Sequence, residues 1–320
     1  MTAVLWVSLI LGLLLLVGAF GPVLLHKASP ALTRAPRLAI ALLAGGVLVW
    51  PAALMAVGPV LAWILSGPSV LPFGAADVCR RCLVAANPFQ AAALETQIPS
   101  AILIAVPLAV GLIFAAGIAA DHVARAGLAR ETAEAVLEGS TRRTIHGHAV
   151  SVVADDRAWA LAFPSCHGGI AVSSGALERL EDDELAAVLA HEAAHLRQRH
   201  HFLSDLVAST AAHLHRVPLA REASEALPAY LEIAADDRAR RQVGTTALVR
   251  ALLVLGDRPV PDAGALHAAG PERIPHLVRP ATGRRGYLTA AAATVQLAVL
   301  GAGIGAVFFS YVVAVLTGCV

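Results

Sequence analysis

The chain has 320 residues, enough for one or two domains, and a net charge of only +1. Hydrophobic residues make up 57% of it and charged residues 15%, against about 25% charged in an ordinary soluble domain. One soluble core could not bury that much apolar surface, so lipid must cover part of it, and the near-neutral charge gives no field for direct nucleic-acid binding.

Four runs carry no charge: 3–25, 38–65, 100–120 and 288–318. Each reaches the roughly 20 residues that a helix needs to cross hydrocarbon. The first has no basic start and is longer than the ~7–15-residue core of a secretory signal, so it is expected to stay as a span. Loop charge gives an orientation. Segment 26–37 holds Lys27, Arg34 and Arg37 and no acid, which puts it in the cytoplasm and the N-terminus outside. The loop 66–97 then lies outside. Arg125 and Arg130 follow the third span, and Arg284 and Arg285 precede the fourth.

The organisation expected is therefore a membrane region over 1–120 with spans at about 3–25, 38–65 and 100–120, a cytoplasmic polar block over 121–286, and a fourth span with a short tail over 287–320. Cysteine does not organise the fold, since Cys79, Cys82, Cys166 and Cys319 are too few and too scattered. Cys79 and Cys82 sit in the outer loop, where a local disulfide is the structural reading and a zinc half-site has no second pair to complete it.

Within the polar block, 149–153 and 158–162 are rich in β-formers and flank a turn at Asp155-Asp156-Arg157, with a third strand over 168–174. The period then becomes helical. Asp182 or Asp183 can cap a helix running to about His200. Further helices are expected over 202–215, over 219–243 with a bend near Pro228, and over 246–255.

The first long helix of the block carries His191-Glu192-Ala193-Ala194-His195. Residues four apart share a helical face, so the two imidazoles can grip one cation, while Glu192 is turned toward a water rather than the metal. Zinc lowers the pKa of such a water to about 7, within reach of a carboxylate base. A catalytic zinc has three protein ligands and an open position. His201 stands where one class of peptidase places its last histidine, but that geometry needs a glycine at position 198, which is Gln. The helix is then expected to continue and carry His201 away. Glu232 on a later helix is the other candidate and the preferred one. Asp236, one turn on, could accept the outer N–H of a ligating histidine.

The pairing of His191-Glu-Ala-Ala-His195 with Glu232-Ile-Ala-Ala-Asp236 resembles the H-E-x-x-H…E-x-x-x-D signature of two groups of membrane metallopeptidases. One contains the CAAX prenyl and heat-shock membrane proteases, the other the BlaR/MecR-type transducers. The segment 172–177 before the helix resembles both. Three spans before the block, one after it and a long outer loop resemble the BlaR/MecR type more closely. The resemblance implies an α-helical membrane protein with four transmembrane helices and a cytoplasmic α+β zincin-like (gluzincin) domain. It also implies a zinc endopeptidase holding one Zn2+ and acting on a protein, such as a transcriptional repressor in signal transduction. Quality control or processing of membrane proteins is the alternative within the same chemistry, and a non-catalytic zinc-binding scaffold or sensor the alternative outside it. A structural zinc normally has four protein ligands, which speaks against the scaffold. The sensor domain of the transducers is expected to be absent, since the sequence ends at Val320.

By the same resemblance a substrate would lie extended along an edge strand formed by Gly169, Ile170, Ala171, Val172 and Ser173. Tyr230, His213, His215 and Arg273 are open candidates for stabilising the oxyanion. Cys166-His167 reads as an ordinary loop. Arg197, Arg199, His200 and His201 read as a basic end that answers the helix macrodipole or lipid headgroups.

Overall fold

The computed structural model describes residues 2–70, 72–88, 94–255 and 286–318. Helix α1 (Thr2–Leu32) turns at 33–35 into α2 (Pro36–Ile64), whose first position is a proline, already set to helical φ and lacking only an N–H that no helix start uses. Helix α3 (Phe73–Ala86) caps the far end of this pair. Helix α4 (Ser100–Leu137) returns the chain. After the polar block, α10 (Tyr287–Leu316) closes the set. Helices α1, α2, α4 and α10 are each long and apolar enough to cross a membrane. Their surfaces support that reading. Ile102, Val106, Leu108, Leu112 and Ile113 on α4, and Val295, Val299, Phe309 and Val312 on α10, are exposed. Soluble proteins rarely leave apolar patches of such extent uncovered.

Two close approaches hold these helices together. The Trp50 indole N–H donates to the Leu14 carbonyl at 2.7 Å, tying α2 to α1. At Gly58 a β-carbon would run into the Leu103 carbonyl oxygen and the Pro107 ring, so only glycine lets α2 and α4 meet there.

Helix α4 does not stop at the expected boundary near residue 120. It continues to Leu137, because 121–137 is rich in Ala, Arg and Glu and nothing breaks it before Gly139, which takes a positive φ. Its 38 residues span about 57 Å at 1.5 Å each, well beyond a hydrocarbon core of roughly 30 Å. The second half thus carries the apolar stretch as one continuous helix into the polar block.

The cap is built around Trp63, whose ring stacks on Tyr311 with centroids 5.2 Å apart. The Tyr311 hydroxyl donates to the Pro59 carbonyl at 2.7 Å and the Asn87 amide to the Trp63 carbonyl at 3.1 Å. Strands β1 (Leu65–Ser66) and β2 (Leu94–Glu95) pair in parallel beside them. Cys82 is disulfide-bonded, whereas Cys79 is a free thiol. The local Cys79–Cys82 bridge read from the sequence is therefore not formed. Both residues lie on one helix, three positions apart, and Cys82 is engaged elsewhere.

The polar block holds a four-stranded sheet in the order β3–β4–β6–β5, from β3 (Thr141–Ile145), β4 (His148–Val153), β5 (Ala160–Ala162) and β6 (Ile170–Ser173). Strand β6 runs parallel to β4 and antiparallel to β5. The Asp155–Arg157 turn forms as expected: the Asp155 carboxylate accepts from the Arg157 backbone N–H and guanidinium and from the Trp159 indole. Helices α5 (Ser174–Arg179), α6 (Asp182–Arg197), α7 (His200–His213), α8 (Pro218–Val243) and α9 (Thr245–Leu255) follow. Pro228 lies within α8 without ending it.

Helix α6 joins the two cores of this block. On one side Leu185, Val188, Leu189 and Ala193 pack with Val150, Ile170 and Val172 of the sheet and with Ala251 of α9. On the other it meets α8, which in turn packs Ala223, Leu227, Leu231 and Ala234 against Ala31, Ala39, Leu43 and Val47 of α1 and α2. The block is therefore fused to the apolar helices rather than tethered to them. Thiol labelling without reductant should modify Cys79 and leave Cys82 intact until reductant is added, as read by peptide mass spectrometry; equal labelling of both would contradict the bonding pattern of α3.

Candidate metal centre

Helix α6 is capped by Glu181, not by Asp182 or Asp183. The Glu184 carboxylate accepts from the Glu181 backbone N–H at 3.0 Å, one half of a complete capping box. Two turns on, the helix presents His191 and His195 toward α8. That helix answers with Glu232 and Asp236, also four apart and on one face. All four side chains are buried.

His191 Nε2 and His195 Nε2 are 3.1 Å apart. His191 Nε2 lies 3.2 Å from Glu232 Oε2, and His195 Nε2 lies 3.3 Å from Glu232 Oε1. Ligand atoms about 2.0–2.1 Å from a tetrahedral zinc stand roughly 3.3 Å from one another. Three donors of the right chemistry thus already stand at the edge lengths of a zinc tetrahedron, and the residues fit the ion. Among the described residues, no other group of His, Cys, Asp or Glu gathers in this way.

Asp236 Oδ1 lies 2.9 Å from His191 Nδ1 and accepts its N–H, which turns Nε2 toward the shared point. Without metal, burial works to lower the His191 pKa, but hydrogen bonds to Asp236 and Glu232 prevail and raise it to about 10. Loading the site therefore releases that proton, so metal binding weakens as pH falls. Burial pushes His195 down, opposed by the Glu232 charge, which leaves its ring neutral as a ligand must be. Glu192 lies between the two histidines on α6 and is half-buried.

The chain leaves this helix in a way its sequence does not suggest. Helix α6 ends at Arg197, Gln198 is its C-cap, and Arg199 takes the left-handed conformation at φ 52° and ψ 42°. A non-glycine residue there costs about 1–2 kcal/mol. The turn starts α7 immediately, so the helix does not carry on and draw the following histidines away. His200 comes back under the site and is fully buried, its Nδ1 3.0 Å from His195 Nδ1. Burial lowers its pKa to about 4, and the same cause lowers that of His201. Neither is the basic helix end that the sequence suggests. The His201 ring centroid stands 6.5 Å from that of His195, outside the three-residue cluster.

The other expected site residues lie elsewhere. Strand β6 is not an edge: β4 and β5 occupy both its sides, and Ile170, Ala171, Val172 and Ser173 are all buried. Gly169 is a turn residue with φ 75° whose carbonyl accepts from Phe163 N–H. The Tyr230 hydroxyl points at Ser29 Oγ, 3.5 Å away on α1. His213 pairs with Asp121 of α4 at 3.1 Å, and His215 bonds the Ala212 carbonyl on the exposed surface. None of these three faces the cluster. Arg273 lies outside the described residues. Cys166 is an exposed free thiol.

Residues 125–252 match the family model of peptidase family M48. The matched stretch, less than half of the chain, holds both histidines, both glutamates and Asp236. Comparison with curated proteins and with solved structures gives no match.

Replacing Glu232 by Ala should sharply lower the zinc content of the purified chain, while Asp236→Asn should weaken zinc binding about 10–100-fold. Metal analysis and chelator titration read both; full occupancy in Glu232→Ala would move the third ligand elsewhere.

Proposed function

We propose that this chain is a membrane-embedded zinc endopeptidase that cuts a cytoplasmic protein. The observation that carries the reading is the buried trio of His191, His195 and Glu232 at zinc-tetrahedron spacing, with Glu192 beside it. Zinc held there would supply Lewis-acid polarisation of a peptide carbonyl and acidify the attacking water. Glu192 takes the proton of that water and hands it to the leaving amine nitrogen. Asp236 holds His191 in one tautomer throughout.

Substrate is best received by β5, the free edge of the sheet beside α6. The Phe163 N–H and Trp159 carbonyl bond toward β6, so by the two-residue period the backbone groups of Ala160 and Ala162 face the other way. Among the described residues no backbone group pairs with them there, although the His201 ring already bonds the Ala162 backbone and leaves Ala160 as the open position. An extended peptide added to this edge gains main-chain hydrogen bonds with little demand on its sequence.

The charge pattern supports a cytoplasmic site, since Lys27, Arg34 and Arg37 flank the α1–α2 turn on the side of the polar block. A disulfide at Cys82, in the helix at the far end, suits an oxidising exterior. The layout of three apolar helices before the site and one after it favours regulated proteolysis of a repressor-type regulator, as in BlaR/MecR-type transducers. Glu192→Gln should abolish cleavage of that substrate and keep zinc. Unchanged proteolysis in this variant would remove Glu192 as the base, and broad loss of damaged membrane proteins instead of one regulator would favour quality control.

A further inference from the structure

We propose that His200 is a positioning residue for the metal centre, the hydrogen-bond acceptor that fixes the tautomer and ring orientation of His195. The inference rests on the ligand reading given above. A histidine that binds metal through Nε2 keeps its proton on Nδ1, and that N–H needs an acceptor when buried. For His191 the acceptor is the Asp236 carboxylate on α8. For His195 it is the Nδ1 atom of His200, 3.0 Å from His195 Nδ1, with the two rings at 89° to each other. This bond requires the His200 proton to sit on Nε2. That nitrogen is buried and, among the described residues, has no hydrogen-bond partner. The contact with His195 is thus the polar contact that orients the ring.

Two further observations point the same way. The turn that returns His200 to the site passes through the left-handed Arg199, and strain of this kind persists only where the surroundings over-determine it. The choice of a neutral acceptor also fits the charge of the cavity. Glu232 and Asp236 already bring two negative charges into the buried site, with the half-buried Glu192 beside them. A further carboxylate under His195 would add to that buried charge, whereas an imidazole accepts the same hydrogen bond and adds none.

The test is zinc affinity of the full chain in detergent, measured by competition with a chromophoric chelator, for the wild type, His200→Asn and His200→Phe. The Asn side chain can place an oxygen acceptor near the position of Nδ1; Phe fills the space and offers none. His200→Phe should bind zinc about 10–100-fold more weakly, and His200→Asn should recover most of that loss. Melting of the metal-free protein should change little, with the difference confined to the increment that zinc adds. His200→Leu serves as a second acceptor-free variant if His200→Phe does not fold. Wild-type affinity in the acceptor-free variant overturns the proposal, as does equal weakening in the Asn and Phe variants, which would mark His200 as packing alone. Failure of the wild type itself to bind zinc would instead overturn the ligand assignment, and this inference with it.

Discussion

Two imidazoles and two carboxylates lie buried together between α6 and α8, and the rest of the structure serves that arrangement. Separately, each ionised group would be too costly to bury. Together they offset one another through hydrogen bonds of about 3 Å, and the cluster becomes tolerable only while both helices keep their spacing and phase. The i, i+4 repeat on each helix supplies the phase. The spacing comes from packing on both flanks: the sheet and α9 press on α6 from one side, and α1 and α2 press on α8 from the other.

The second flank has a consequence for how the molecule works as a unit. Helix α8 carries the carboxylates on one face and meets the first two apolar helices on another, where Tyr230 reaches Ser29. Helix α4 runs unbroken from the third apolar stretch into the polar block and packs against α7, the helix that begins with His200. Helices long enough to cross a bilayer therefore contact both elements that complete the cluster begun by α6. The cluster is thus joined to these helices through packed side chains rather than through a flexible linker.

Much of this was legible in the sequence, and the reasons are specific. The long uncharged runs announce four apolar helices. The spacing of His191 and His195, and of Glu232 and Asp236, marks two faces meant to meet, because helical period alone sets it. What stayed hidden depends on partners distant in the chain or on paired backbone. The resemblance makes Ile170–Ser173 an edge, whereas β4 and β5 flank it on both sides, a pairing set by residues distant in the chain. The length of α4 was masked by the charges after residue 120, which end an apolar run without ending a helix. The Arg199 turn gave no signal at all, since neither glycine nor proline stands there, and with it His200 passed as one of several surface basic residues.

The most direct measurement is X-ray absorption at the zinc edge on the purified full chain. The account predicts one zinc per chain with only nitrogen and oxygen neighbours at about 2.0–2.1 Å, including the outer-shell scattering of two imidazoles. A sulfur neighbour at about 2.3 Å, or a chain that holds no zinc after loading, would contradict it.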